Sequence, residues 1–249
     1  MRLDSFQYFT PEHPPEHLGP ILARNRFDGS IAVSREADDP RQFLEMTERH
    51  HFVKAAVARL DLDDPRLAAL LDACSRYPKF RGVFWQAGGP VPRGFEELQR
   101  RRLTLDLQTS PAQLSQAIEL AGRCPELRIA ILRLGSPQVD AAPSEEWANC
   151  MSVLARYANV VCKASDLIHL SSARWSGAEL RPYMQHVLAV FSPARVMFGS
   201  GWPAGLPDHI WKETLAAFTQ AIGAQSMEGR EELLGGAAAR FYGVRREPA

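Results

Sequence analysis

The amino-acid sequence predicts an α/β fold, a (β/α)8 TIM barrel formed as a single domain over residues 1–249. Eight short apolar stretches alternate with eight amphipathic ones, which is the pattern of parallel strands joined by crossover helices. The length of 249 residues is typical of one such barrel. An open doubly wound sheet is the alternative. That fold usually carries a glycine-rich phosphate turn after its first strand, and residues 4–8 contain no glycine.

The predicted strands are short runs of β-branched and apolar residues. Residues 30–34, for example, read Ser-Ile-Ala-Val-Ser, which favours a strand by length and composition. The eight strands are expected at residues 2–6, 30–34, 52–60, 80–86, 103–107, 127–132, 159–163 and 195–198.

The predicted helices are marked by apolar spacing and by their first residues. In residues 65–77, Leu67, Leu70 and Leu71 share one face and a proline stands near the start. Ser110 is a suitable N-cap for the fifth helix, and Ser144 opens the sixth. Helices are expected at residues 16–26, 40–50, 65–77, 94–101, 111–123, 144–157, 177–191 and 207–222, followed by a last helix at 228–242.

The composition excludes several classes of function. Lys plus Arg and Asp plus Glu balance at 29 each, so no excess charge draws the chain to nucleic acid or to a membrane surface. No run of about 18 apolar residues exists, and the N-terminus is too polar for a signal peptide. The four cysteines form no CxxC pair, which indicates reduced thiols. We therefore expect a cytoplasmic protein without nucleic-acid or membrane partners, and a homo-oligomer stays open.

The site should lie where the strands end, because the loops after the strands of a barrel form its active face. Arginine forks and flat indole rings bind carboxylates and sugars well. The residues expected to bind a small anionic or sugar-like ligand are Arg59, Gln86, Arg133, Lys163 and Trp202. The residues expected to act as acid or base are Tyr8, Asp166 and His169.

The residues near the strand ends do not supply the ligands of a metal site. A zinc site needs about three or four nitrogen, sulfur or carboxylate ligands that converge, and none can be assembled from this set. Gly201 follows the eighth strand, at a position where a barrel enzyme usually carries a polar catalytic side chain. We therefore expect no metal and no other cofactor.

Several motifs together resemble those of the amidohydrolase superfamily, in the amidohydrolase 2 branch that includes sugar-lactone hydrolases. The resemblance covers nearly the whole chain. Residues 162–167, CKASDL, are similar to Cys-Lys-Leu-Ser-Gly-Leu, and residues 198–203, FGSGWP, are similar to Phe-Gly-Ser-Asp-Trp-Pro. Further similar motifs are MRLDSFQYF at 1–9, ARLDL at 58–62, KFRGV at 79–83, ILRLGSP at 131–137 and GGAAARFYG at 235–243. The resemblance implies a TIM barrel and a lactonase-like activity.

Four positions depart from the motifs that carry the chemistry of this family. The family has two histidines after the first strand, one after the sixth and an aspartate after the eighth. These hold a divalent metal or, in some members, substrate and water without metal, and the aspartate activates water. Here the four positions are Phe6, Tyr8, Arg133 and Gly201. The resemblance therefore implies that the metal chemistry is lost.

Three functions stay open after this comparison of motifs. The first is metal-independent hydrolysis of a small polar or anionic substrate such as a lactone. The second is a catalytically inactive relative that acts as a binding or partner protein. The third is a non-hydrolytic enzyme, an isomerase or a decarboxylase. We favour the first because the residues at the strand ends stay polar.

Overall fold

Parallel strands follow one another in chain order around a barrel. The computed structural model describes residues 1–34, 39–139, 142–170, 176–203 and 209–245, and within these ranges it contains eight strands in the order β1 to β8. The first and last strands meet where Gly201 N donates to Phe6 O at 2.9 Å and Tyr8 N donates to Trp202 O at 2.9 Å. The predicted TIM barrel is confirmed, and the doubly wound alternative is wrong.

The strands begin and end within two residues of their predicted bounds. They are β1 Leu3–Gln7, β2 Gly29–Val33, β3 Val53–Arg59, β4 Phe80–Gln86, β5 Thr104–Gln108, β6 Arg128–Ile131, β7 Val160–Ser165 and β8 Val196–Gly199. The largest difference is at the end of β7, which continues to Ser165 instead of stopping at Lys163. This extension places Lys163 inside the strand instead of at its end.

The helices occupy the predicted stretches and are shorter at several ends. They are α1 Pro15–Arg24, α2 Pro40–Glu48, α3 Leu67–Cys74, α4 Phe95–Arg100, α5 Leu114–Arg123, α6 Glu145–Leu154, α7 Gly177–Phe191, α8 His209–Ile222, α9 Met227–Glu231 and α10 Ala237–Tyr242. Residues 207 and 208, predicted to begin α8, lie outside the described residues. The predicted last helix is divided by a π-helical segment, Glu232–Gly236, because Gly235 packs against the backbone of residues 1–3.

Side chains at the predicted caps make the expected bonds. Ser144 Oγ accepts from Trp147 N at 3.3 Å at the start of α6. Ser110 and Gln113 form a capping box in which Ser110 N donates to Gln113 Oε1 at 2.9 Å. This box opens a short 3-10 turn, Pro111–Gln113, that leads into α5. Local sequence therefore fixed where these helices begin.

Two apolar regions hold the barrel together. One lies between the strands and the surrounding helices, and the other fills the barrel interior. Phe6, Leu132 and Met197 are fully buried in the interior, and Phe241 and Tyr242 of α10 pack with them. The interior is therefore a packed core, as is usual for this fold, and a ligand has to bind at the mouth.

Two sequence expectations concern the whole chain. None of the described helices is long and apolar enough to cross a membrane. The cysteines are free thiols, as expected, with Cys74, Cys124 and Cys162 buried.

Candidate active site at the carboxyl ends of the strands

Three of the predicted site residues meet after β6 and β7. Arg133 Nη2 donates to Asp166 Oδ2 in a short ion pair, and His169 Nε2 lies 3.4 Å from Asp166 Oδ1. The Asp166 side chain has no solvent exposure, the Arg133 side chain is 14% exposed, and the His169 side chain is 42% exposed. A buried carboxylate thus stands between a guanidinium group and an imidazole that reaches solvent.

The backbone at this cluster is unusual. Arg133, Leu134 and Ser136 have φ values of 52°, 56° and 54°, and Asp166 has a φ of 53°. Left-handed conformations cost free energy for residues with a side chain, and they concentrate at functional sites. Ser136 N donates to Arg133 O at 2.7 Å, which closes the turn after β6.

Neighbouring groups hold this turn in place. Trp147 Nε1 donates to Leu134 O at 2.8 Å, and Arg133 N donates to Ser165 Oγ at 3.3 Å. The second bond ties the turn to the end of β7, and so directs Arg133 toward Asp166. Gly135, Ser136 and Pro137 indicate a turn, but the sequence does not show that Arg133 and Leu134 take left-handed conformations.

Polar atoms without partners also gather at the cluster. Among the described residues, Arg133 Nε, Asp166 Oδ1 and Ser136 Oγ are buried and make no hydrogen bond. Buried polar groups are nearly always bonded, so each exception needs an explanation. Of the three, Asp166 Oδ1 faces His169 Nε2 at 3.4 Å, and the other two atoms are available to a ligand or water only if neighbouring groups move. Sequence reasoning had not singled out Ser136.

Lys163, predicted to bind ligand, lies in the barrel interior. Its Nζ donates to Asp106 Oδ2 at 2.6 Å and to Ser5 O at 2.7 Å, and Tyr242 OH donates to Asp106 Oδ1 at 2.5 Å. Burial lowers the pKa of the Lys163 amine, against the attraction of Asp106, and burial raises the pKa of Tyr242. All three side chains are buried. The structure therefore places Lys163 away from the mouth, because β7 extends past it.

Arg59 and Gln86 come together in a cleft of about 380 Å³ after β3 and β4. Trp85 also lines this cleft, and the Arg59 guanidinium lies 5.9 Å from the centroid of the Phe84 ring. Arg133 is not among the described residues that line it. Arg59 and Gln86 are thus separated from Arg133, and Lys163 lies in the barrel interior.

Tyr8 lines a second cleft, of about 580 Å³, beside the ends of β1 and β2. Phe9, Phe43 and Met46 contribute apolar walls to it. Trp202 is only 2% exposed, and its ring contacts the rings of Phe9 and His13 at centroid distances of 6.1 and 5.9 Å. The indole face predicted to bind a ligand is therefore covered in this arrangement.

Asp4, which sequence reasoning did not select, fixes the loop after β8. Its Oδ1 accepts from Ser200 N at 2.8 Å, and its Oδ2 accepts from Trp211 Nε1 at 2.9 Å. Burial raises the pKa of this carboxyl, and the bonds from Ser200 and Trp211 oppose that effect. Asp4 joins β1, β8 and α8, so its role is to hold the mouth in shape.

The donor set at the mouth does not fit a divalent metal. Among the described residues, no three His, Cys, Asp or Glu side chains lie together as a metal site would require. The carboxylate of Asp166 is already paired with Arg133, whose positive charge opposes a cation beside it. Gly201, after β8, has no side chain to contribute.

Comparison with known proteins gives consistent matches over most of the chain. The sequence profile of a family described as Amidohydrolase matches residues 15–244. L-fucono-1,5-lactonase of Burkholderia ambifaria is 29% identical over 248 residues, which cover 93% of this chain and 86% of that protein. Uncharacterized protein y4mH of Sinorhizobium fredii is 32% identical over 241 residues, which cover 87% of this chain and 79% of that protein.

The solved structures agree with the sequence matches. An amidohydrolase from Burkholderia multivorans with bound HEPES superimposes with a TM-score of 0.86 at 25% identity, over 98% of this chain and 100% of that one. The same protein with bound zinc gives a TM-score of 0.85 at 25% identity, with the same coverage.

Proposed function

The chain belongs to the amidohydrolase family, and from this premise we propose that it hydrolyses a small polar or anionic substrate, such as a lactone, without a divalent metal. The likeness to an L-fucono-1,5-lactonase over 93% of the chain supports a cyclic ester as the substrate class. The proposal includes a cytoplasmic location and no nucleic-acid or membrane partner.

The observation that carries the proposal is the cluster of Arg133, Asp166 and His169. A buried carboxylate beside an exposed imidazole is an arrangement that orients the ring for proton transfer. In the proposed reaction, the imidazole takes a proton from water as the water oxygen bonds to the acyl carbon. The ring C–O bond then breaks, and the proton passes to the ring oxygen to give a hydroxy acid.

Arg133 supplies positive charge beside this reaction. A fixed guanidinium stabilises the oxyanion that forms as water adds to the acyl carbon, and it also binds a substrate carboxylate. Its side chain is 14% exposed, so part of the guanidinium is accessible to such a group. Tyr8, at the edge of the larger cleft, is proposed as an additional acid.

The absence of a metal from the proposal follows from the residues at the four positions that the family resemblance singles out. Phe6 is buried in the apolar interior, Arg133 is a cation, and Gly201 has no side chain. Tyr8 offers a single phenol oxygen, which is fewer ligands than a metal site needs. No step of the proposed reaction requires a metal, because the imidazole activates the water.

A binding protein without catalysis is the second candidate. The covered ring of Trp202 favours it, since this indole packs against Phe9 and His13 and is only 2% exposed. Under this candidate, the cleft of about 580 Å³ beside Tyr8 binds a small molecule and nothing is turned over. No contact among the described residues favours an isomerase or a decarboxylase over these two.

The test is hydrolysis of a panel of sugar 1,5-lactones, including L-fucono-1,5-lactone, by chelator-treated protein in a pH-stat. We expect turnover, and we expect His169→Gln to lower kcat/KM by about 100-fold or more. His51→Gln, at an exposed histidine after α2, is the matched control and should leave kcat/KM unchanged. Saturable binding of a lactone without turnover would instead establish the second candidate. Full activity in His169→Gln would contradict the proposed mechanism.

A further inference from the structure

Asp166 and Gly201 occupy one small volume at the mouth of the barrel. A Cβ atom added to Gly201 would lie 2.6 Å from both Cα and Oδ1 of Asp166, and 2.9 Å from its Cβ. Real Cβ atoms essentially never come within 3.0 Å of another heavy atom in this way. Two of these three atoms, Oδ1 and Cβ, belong to the Asp166 side chain, so glycine at position 166 would remove them and leave only the contact with Cα.

The two backbones are held in this position by the strand ends. Asp166 N donates to Gly199 O at 3.3 Å, and Gly201 N donates to Phe6 O at 2.9 Å. Both residues have positive φ values, 53° for Asp166 and 75° for Gly201. Glycine adopts this region freely and aspartate is among the few other residues that tolerate it. These bonds hold the ends of β7 and β8 close to each other.

We propose that the site has room for one carboxylate, either from position 166 or from position 201. This chain supplies it from Asp166, at the end of β7. The inference rests on the proposed function for the role of that carboxylate. Gly201 is then the residue that makes room for Asp166. In the motifs that residues 162–167 and 198–203 resemble, glycine and aspartate stand the other way round.

The position of the carboxylate defines what Asp166 does. Its Oδ2 holds Arg133, and its Oδ1 faces His169 at 3.4 Å. The side chain has no solvent exposure, so it does not reach a substrate itself. Asp166 is therefore a positioning residue that fixes the guanidinium and the imidazole, and His169 is the group that meets water.

The steric part of the proposal is tested by thermal unfolding, which does not depend on any activity. Gly223 is the matched control, since it also has a positive φ, 65°, and an added Cβ would meet nothing within 4 Å. Gly201→Ala should lower the unfolding midpoint by roughly 3–10 °C more than Gly223→Ala, because only the former overfills a packed site. In an Asp166→Gly background, the difference between the midpoint losses of Gly201→Ala and Gly223→Ala should fall by at least half.

Two outcomes would overturn the steric part. One is an equal effect of the two glycine substitutions. The other is a difference between the effects of Gly201→Ala and Gly223→Ala that is the same in wild type and in the Asp166→Gly background, since positions 166 and 201 would then be independent. If Asp166→Gly does not fold, Asp166→Ser serves as the background; it removes the contact with Oδ1 but keeps Cβ, so the difference should fall by less than in Asp166→Gly.

The chemical part is tested by moving the carboxylate in the full chain. With L-fucono-1,5-lactone as the probe, Asp166→Gly should lose about 100-fold or more in kcat/KM. Asp166→Gly combined with Gly201→Asp should recover at least about a tenth of wild-type kcat/KM, and Asp166→Asn should shift the pH profile. No recovery in a folded double variant, or an unshifted profile, would contradict the role of Asp166. If the wild-type protein does not hydrolyse lactones, the proposed function is contradicted. The unfolding experiment still tests whether side chains at positions 166 and 201 exclude each other.

Discussion

Asp166 carries a charge that has no access to solvent, and the nearest cation balances it. Arg133 makes a short ion pair with it from a left-handed turn, at a sequence separation of 33 residues. Removing one partner of a buried pair leaves the other charge unpaired, which costs far more than the pair itself contributes. The ion pair therefore shows how the site is arranged, and its presence does not by itself mean that it stabilises the barrel.

Arg133→Ala should lower the free energy of unfolding by about 3–5 kcal/mol, because Asp166 would be left buried without its guanidinium partner. Urea denaturation monitored by circular dichroism measures this change. Arg66→Ala is the control, since Arg66 forms an ion pair with Asp64 on the surface and is 79% exposed.

The Arg66 variant should unfold close to wild type, because exposed ion pairs contribute little. Equal effects of the Arg133 and Arg66 substitutions would contradict the assignment of Arg133 to a buried pair. The combined Arg133→Ala and Asp166→Ala variant should be more stable than Arg133→Ala alone.

At the scale of the element, the length of β7 decides which residues reach the mouth. Side chains along a strand alternate between its two faces. Cys162 and Ala164 pack against the region between strands and helices, while Lys163 bonds to groups inside the barrel. Because β7 is two residues longer than predicted, the residues after the strand begin at Asp166. A charged side chain near a predicted strand end therefore does not by itself indicate a ligand-binding residue.

Lys163→Met should lower the free energy of unfolding by about 3–5 kcal/mol, since Asp106 would keep only its bond from Tyr242 in a buried setting. Urea denaturation again gives the measurement. Lys212→Met, at an exposed position of α8, is the control and should stay close to wild type.

Replacing the three side chains of the network tests the explanation. Lys163→Met combined with Asp106→Leu and Tyr242→Phe should recover much of the loss, because neither a buried carboxylate nor a buried phenol is then left unpaired. A triple variant less stable than Lys163→Met alone would show that the network has a different role.

At the scale of the molecule, the barrel brings distant loops to one face and divides the polar residues among them. Arg133, Asp166 and His169 form one cluster, Arg59 and Gln86 line the cleft after β3 and β4, and the cleft of about 580 Å³ lies beside β1 and β2. The apolar interior ends below these sites at residues such as Phe6. This division predicts a site that relies on a charged cluster instead of a central metal.

Purified protein should contain far less than one zinc or manganese ion per chain, and a chelator should leave its unfolding midpoint unchanged. A metal bound only by the folded state would stabilise it, and its removal would lower the midpoint. Elemental analysis and thermal unfolding provide the two measurements. The Burkholderia multivorans amidohydrolase, whose structure holds zinc, is the positive control under the same treatment. About one metal ion per chain, bound at the strand ends, would contradict the proposed site.

The sequence by itself determined the barrel and the family. Apolar strands and amphipathic helices are encoded by short-range periodicity, so β4 and α7 were predicted to the residue and most other ends lay within one to three residues. The last helix was predicted as continuous, because the close approach of Gly235 to residues 1–3 is a contact between the two ends of the chain.

Only the tertiary structure decided which polar residues meet. The left-handed turn at Arg133, the fit of Asp166 against Gly201 and the burial of Lys163 depend on contacts between segments that are far apart in sequence. Gly201 by itself indicates a missing side chain, and only the fold reveals that Asp166 fills its place. The physical reason is that local propensity sets the elements, whereas excluded volume and charge pairing between their ends set the site.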